Sequence, residues 1–81
     1  MKDQWSIKRV CGYTGYTRVL TSSGGSIKGS VWYEPSFRRY KWMASSKVGI
    51  QTGWSRTPDG AKRACSRAMR FMQRWLNATA D

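Results

Sequence analysis

The last third of the chain has the hydrophobic pattern of an amphipathic helix. Apolar residues recur at positions 61, 64, 65, 68, 69, 72, 75 and 76. This i, i+3, i+4, i+7 spacing places their side chains on one helix face, over about four turns. We expect the helix to bury Ala64, Ala68 and Met72 against a sheet, with Trp75 filling a wider gap near its end.

The start of this helix carries its own signals. Thr57 offers an N-cap hydroxyl, Pro58 suits the first helical position, and Asp59 lies near the positive end of the helix dipole. Together with the apolar repeat, these signals predict a helix over 57–77, ending near Asn77.

The preceding part of the chain changes to short runs rich in β-branched and aromatic residues, separated by Gly, Ser and Pro. The candidate strands are 5–10, 16–21, 26–33, 38–45 and 48–54. Segments 12–17 and 22–25 have the composition of turns, 34–36 breaks the pattern, and 46–47 predicts a tight connection. At least three antiparallel strands are therefore expected within 26–54, with one or two more upstream.

These elements predict an α+β fold. An antiparallel sheet of three or more strands is packed on one face by a single C-terminal helix, and its other face meets water or a ligand. A chain of 81 residues fits one domain. We divide it into an N-terminal strand and turn segment (1–25), a sheet core (26–54) and the helix (57–77).

Alternation along the strands predicts which side chains lie on the uncovered face of the sheet. In 38–45 the set Tyr40, Trp42 and Ala44 suits a core, which turns the basic residues between them outward. Applied to the other strands, with Ile50 and Thr52 taken as inward, the same reasoning gives an open face. Its predicted members are Lys28, Trp32, Arg39, Lys41 and Gln51.

Charge, an exposed aromatic ring and an amide can contact phosphates and base edges together. Two alternatives stay open for this face. In the first, the lysines of this face serve only to keep a solvated sheet surface soluble. In the second, a register shifted by one residue places Trp32 in the core.

A second basic set lies on the predicted helix. Its arginines follow an i, i+4, i+7, i+11 spacing, which places them in one stripe. The stripe consists of Arg63, Arg67, Arg70 and Arg74, flanked by Lys62. The helix has no Asp or Glu after Asp59 to pair with them, and like charges at i, i+4 are mildly destabilising. The stripe is therefore a candidate contact for phosphates or an acidic protein, with a solvated helix face as the alternative.

Composition narrows the function classes. Fifteen Lys and Arg against four Asp and Glu give a formal charge of +11, which favours an acidic partner. The chain has no histidine, and its four acids are too scattered to predict a carboxylate pair, so we expect no enzyme. Cys11 and Cys65 cannot make a four-ligand zinc site alone, and we expect two free thiols and no metal or cofactor.

The chain shows no membrane-spanning run and no signal peptide. A cytoplasmic or nucleoid-associated protein without a membrane partner is therefore expected.

The segment from Gly53 to Ala68 contains the pattern G-x-x-x-T-x-x-x-A-x-x-A-x-x-x-A, and Lys41-Trp42-Met43-Ala44 precedes it. Over about residues 26–70 the chain resembles the DNA-binding domains of the plant Apetala and ethylene-response type, and more loosely the arm-binding domains of phage integrases. The resemblance implies that a three-stranded sheet enters the DNA major groove with the helix behind it. Arg39 and Lys41 would then face the groove and Trp42 the core.

We therefore expect a small basic binding module that contacts double-stranded DNA through the open sheet face. One alternative is a phage- or plasmid-encoded inhibitor or adaptor that docks on a nucleic-acid-handling protein through an acidic surface. A second alternative is double-stranded RNA binding, because the run 61–64 at the start of the helix is similar to that of double-stranded RNA-binding domains.

Overall fold

The computed structural model describes residues 5–10 and 12–79. Five strands precede one helix: β1 (Ser6–Val10), β2 (Tyr13–Ser22), β3 (Gly25–Glu34), β4 (Arg39–Ser46), β5 (Gly49–Ser55) and α1 (Pro58–Thr79). The strands form an antiparallel meander in the order β1-β2-β3-β4-β5. The predicted α+β fold, an antiparallel sheet packed by a C-terminal helix, is confirmed.

The predicted turn over 12–17 is wrong. Strand β2 begins at Tyr13, which pairs with Val10 of β1, so the reversal between the strands is tight. Gly12 lies within this reversal at a φ of 84°, a backbone conformation that glycine adopts readily. The aromatic and β-branched residues that follow are left free to continue the strand.

The core lies between α1 and one face of the sheet. Ile27, Val31 and Ala44 are fully buried beneath the helix, which contributes Cys65 and Met69. Close approach is possible because Gly29 faces the helix: a Cβ built there would clash with the Met69 Sδ atom. Burial of this apolar surface is the main force that holds the helix on the sheet.

Polar contacts also attach the helix to β2 and to the turn that follows it. The Gln73 side-chain amide donates a hydrogen bond to the Thr21 carbonyl at 2.8 Å, and the backbone N–H of Ser23 donates to Asn77 Oδ1 at 2.8 Å. The predicted helix start is confirmed, and the helix extends to Thr79, two residues beyond the expected end.

The predicted buried face of α1 is correct for Ala68 and Met72, while Ala64 is partly buried. Trp75 was expected in the core and is 50% exposed. It lies where the helix meets Val48 and Ile50 at the edge of the sheet, so only part of its ring is covered. No helix in the described ranges is long and apolar enough to cross a membrane.

Candidate nucleic-acid interface

The strand register decides which side chains lie on the uncovered side of the sheet, which we call the open face. Fully buried Val31 and Ala44 face the helix, so their strand neighbours face away from it. One cross-strand row of the open face contains Lys8, Gly15, Trp32, Lys41 and Trp54. A second row contains Val19, Lys28, Ser45 and Ile50, and Thr17, Ser30, Met43 and Thr52 lie between the two.

Three of the five predicted residues lie on the open face and reach solvent. Lys28 and Arg39 are exposed, and Lys41 is partly exposed. Arg39 lies at the end of the face, directly opposite Glu34 of β3. The structure thus places on one face the basic residues that alternation in β3 and β4 predicted, with Lys28 and Arg39 at opposite ends of the strand pair.

Gln51 does not belong to this face, and its predicted position is wrong. The tight β4–β5 connection pairs Ser46 with Gly49, so Gln51 lies opposite buried Ala44 and faces the helix side. The prediction took the more apolar set of β5 as inward, but the register imposed by the connection overrides that preference. Ile50 is consequently turned to the open face, where it is 65% exposed.

Trp32 has the predicted face but not the predicted exposure. Its relative exposure is 5%, and it lies outside the core cluster beneath the helix. Its cross-strand neighbour in β2 is Gly15, which has no side chain. Its indole Nε1 is enclosed and has no hydrogen-bond partner among the described residues. Trp32 is therefore a packing residue of the open face and not a solvent-facing ring.

Trp54 is an exposed aromatic ring of this face that the sequence did not lead us to select. Trp54 is 43% exposed and packs against Phe37 with the ring centroids 5.0 Å apart. The ammonium group of Lys41 lies 4.5 Å from the centroid of the Trp54 ring, within cation–π range. Correct pairing of β5 would have revealed Trp54, because it is the cross-strand neighbour of Lys41.

Lys8 is a second residue that sequence reasoning missed. It is exposed on β1 and pairs with Gly15, so it extends the basic row across the sheet. Residues 5–10 were predicted as a strand, but a lone sequence run could not show which face of the sheet its lysine would join.

The arginine stripe lies on the opposite side of the molecule, along α1. Arg63, Arg67, Arg70 and Arg74 are all exposed, as the helical spacing predicted. Towards β2, a cavity of about 350 Å³ contains three of these arginines together with Arg18, Lys62 and Asp59 among its lining residues. Arg18 extends this basic region from the sheet.

Two contacts fix the cations beside the stripe. Arg18 Nη1 donates a 2.7 Å hydrogen bond to Ser66 Oγ, while its Nε is enclosed without a described hydrogen-bond partner. The Lys62 ammonium lies 3.9 Å from the centroid of the Tyr16 ring. Arg18 is thus held against the helix, and Lys62 is held against a ring of β2. The four arginines of the stripe are exposed.

The described residues contain no group of three or more His, Cys, Asp or Glu side chains arranged to hold a metal ion. Cys65 is a free, buried thiol, as expected, and Cys11 lies outside the described residues. Desolvation raises the pKa of the Cys65 thiol to about 11, although its Sγ donates a hydrogen bond to the Met43 carbonyl at 3.4 Å. A buried thiol with a raised pKa is a poor nucleophile.

The chain was compared with protein-family models, curated proteins and solved structures, and none of them matches it.

Proposed function

We propose that this protein is a small, non-enzymatic module that binds double-stranded DNA through the open face of its sheet. The observation that carries the proposal is the placement of Lys28, Arg39 and Lys41 on one uncovered face. Lys8 extends this basic surface, and Glu34 at one end is the only acid within the five strands. We also propose a cytoplasmic or nucleoid-associated location, where duplex DNA would be present.

The side chains between the cations suit a nucleic-acid surface. Thr17 and Thr52 place short hydroxyl side chains along the middle of the face, on either side of the buried Ser30. Hydroxyl groups donate to phosphate oxygens and accept from or donate to base edges, while Lys and Arg neutralise phosphates. Trp54 adds an exposed ring that can pack on a sugar or on an unstacked base.

The width of the sheet limits how it would meet a duplex. Neighbouring strands lie about 4.8 Å apart, so three of them span about 10 Å, while the major groove of B-DNA is about 12 Å wide. We infer that β3 and β4, which carry Lys28, Arg39 and Lys41, would enter the groove with one neighbour. Lys8 and Trp54 on the outer strands would then meet the phosphate backbones on either side.

The helix stripe favours a second candidate function. Its arginines are exposed without a helical acid beyond Asp59 to pair with, which suits an acidic protein partner or duplex RNA. An adaptor or inhibitor that docks on a nucleic-acid-handling protein would use this surface. The two surfaces lie on opposite sides of the sheet, so they can be tested separately.

The test compares two triple variants with the same net charge. Lys28→Gln, Arg39→Gln and Lys41→Gln change the open face, while Arg63→Gln, Arg67→Gln and Arg70→Gln change the stripe. Each set removes three positive charges, so both variants fall from +11 to +8. Fluorescence anisotropy with duplex DNA and with duplex RNA of the same sequence, at several salt concentrations, gives affinity and salt dependence.

We expect the open-face variant to bind DNA more weakly and to lose up to about 2.7 units of log–log salt slope, about 0.9 for each phosphate contact. The stripe variant, at the same net charge, should keep most of the slope. A larger loss in the stripe variant would reject the open face as the interface. Tighter binding of RNA than of DNA would favour the alternative of double-stranded RNA binding. If neither nucleic acid binds, the alternative of an acidic protein partner is favoured.

A further inference from the structure

The outer edge of the sheet at β5 lacks the usual protection against pairing with another strand. β5 pairs with β4 on one side and is the last strand of the sheet. Its sequence, Gly-Ile-Gln-Thr-Gly-Trp-Ser, contains no charged residue and no proline. The other edge strand, β1, carries Lys8 and Arg9. Edge strands normally use such charges to prevent added strands, so β5 is the available edge.

A groove runs between this edge and α1. Gly49 and Gly53 face the helix side, and the helix therefore meets β5 over small residues and one amide, Gln51. Two neighbouring cavities of about 420 Å³ and about 440 Å³ share Gln51 and Phe71 as lining residues. Phe71 is 54% exposed, so the groove is open to a ligand along the edge.

The two ends of the groove differ in chemistry. The end near the β4–β5 turn is apolar, with Val48, Met72 and Trp75 among its lining residues. The other end is lined by Arg67 and Arg74 beside Ala64, Ala68 and Trp42. A ligand that fits both ends has apolar groups at one end and negative charge at the other.

We propose that β5 and this groove bind an extended acidic and apolar peptide segment of another protein, which adds to the sheet as a sixth strand. Main-chain hydrogen bonds to an exposed strand edge supply affinity in this mode of recognition, and alternate side chains supply specificity. Every second side chain of the added strand would enter the groove.

Charge decides between another protein and a second copy of this chain. The chain has four acids, Asp3, Glu34, Asp59 and Asp81, and none lies in β5 or along 60–79. Two copies joined at β5 would bring together two molecules of charge +11 and offer no carboxylate to Arg67 or Arg74. An acidic segment removes this repulsion.

The order of residues in the ligand follows from the direction of β5. The strand runs from the apolar end of the groove towards the basic end. A segment that pairs antiparallel to β5 therefore meets the arginines first and the apolar end later. Its groove-facing residues would be acidic followed by apolar, at alternate positions along the segment.

The probe that tests this is a blocked peptide, Thr-Glu-Thr-Glu-Thr-Leu-Thr-Leu-Thr, titrated into the full chain and followed by backbone NMR shifts. We expect shifts confined to β5 and the facing side of α1. A matched peptide N-methylated at the alternate residues whose N–H groups face β5 keeps its side chains but loses the donors to the strand edge, and it should not bind.

Two single variants of the protein locate the contact. Arg74→Gln, at the groove, should weaken binding of the probe about fivefold, as expected for a partly exposed ion pair. Arg70→Gln removes an equally exposed helical charge that does not line the groove, and it should change the affinity less than twofold. Phe71→Ala should also weaken binding, since it removes a ring shared by both cavities.

Several results would overturn the proposal: equal losses in the two arginine variants, undiminished binding of the N-methylated peptide, or no shift at β5. A concentration-dependent dimer that Phe71→Ala disrupts would identify a second copy as the occupant instead. The triple variant Lys28→Gln, Arg39→Gln and Lys41→Gln should bind the probe normally, so failure of the DNA proposal and of this one are distinguishable.

Discussion

The indole ring of Trp42 covers Gly53 on the helix side of the sheet. A Cβ built on Gly53 would lie 2.7 Å from the Cε2, Cζ2 and Nε1 atoms of the ring, closer than real contacts allow. The two residues are cross-strand partners in β4 and β5. The glycine therefore creates the space that the largest core-facing side chain of β4 occupies.

Gly53→Ala should lower the free energy of unfolding by about 1–3 kcal/mol, the usual cost of overpacking. The backbone at Gly53 is not in the left-handed region, so the effect is steric. Urea denaturation of both the single variant and a double variant with Trp42→Leu measures it. The substitution should cost less in the Trp42→Leu background, and equal costs in both backgrounds would show that the ring does not restrict this position.

The sequence was sufficient to predict the helix and most of the strands, because each follows from a local signal. The apolar repeat of α1 and the alternation around Tyr40, Trp42 and Ala44 depend only on residues close in the chain. The faces of β3 and β4 follow from the same alternation, so Lys28, Arg39 and Lys41 could be selected without coordinates.

Pairing between strands was the part that the sequence pattern did not settle. Gln51 and Ile50 exchanged faces relative to the prediction because the β4–β5 connection, not the hydrophobicity of β5, sets the register. Trp32 is buried on the face that the helix does not cover, and no pattern within β3 predicts that burial.

The N-cap of α1 supports a second prediction. The backbone N–H of Gly60 donates to Thr57 Oγ1 at 3.0 Å, and the N–H of Ala61 donates to the Thr57 carbonyl at 3.0 Å. Thr57→Ala removes the hydroxyl acceptor and should cost about 1 kcal/mol of stability, whereas Thr57→Ser should cost much less. Thermal unfolding of both variants provides the measurement, and equal destabilisation would assign the effect to the lost methyl group instead of the cap.

Burial of the Cys65 thiol predicts that the protein loses stability at alkaline pH. Its thiol has an ordinary pKa of 9.0, and burial raises that pKa to about 11 in the folded chain. Between these values the unfolded chain has released the proton while the folded chain still holds it, so stability falls as pH rises from about 9 to about 11. The shift corresponds to a contribution to stability on the order of 2–3 kcal/mol, which is fully present below pH 9 and is lost as pH rises to about 11.

The matched control for this prediction is Cys65→Ala, which lacks this titrating group but keeps the lysines and tyrosines of the chain, which also titrate at alkaline pH. Urea denaturation at pH 8 and pH 11 should show a smaller difference between the two pH values in Cys65→Ala than in the unchanged chain. If both proteins lose the same stability, the thiol ionises equally in the folded and unfolded states and is not shielded as described.

The two tryptophans of the open face should behave differently on substitution. Trp32 is 5% exposed, so Trp32→Ala should lower the free energy of unfolding by about 3–5 kcal/mol. Trp54 is 43% exposed, and Trp54→Ala should cost about 1 kcal/mol or less, since the cation–π contact with Lys41 lies at a solvated site.

DNA affinity then distinguishes a tryptophan that packs within the fold from one that contacts the duplex. Trp54→Ala should weaken duplex binding severalfold at temperatures where the variant remains folded, because a ring at the edge of the proposed interface is lost. Trp32→Phe retains an apolar ring beneath the surface and should leave the affinity of the folded protein nearly unchanged. The opposite pattern, with Trp32→Phe weakening binding and Trp54→Ala neutral, would mean that the duplex reaches the enclosed indole and that the open face rearranges on binding.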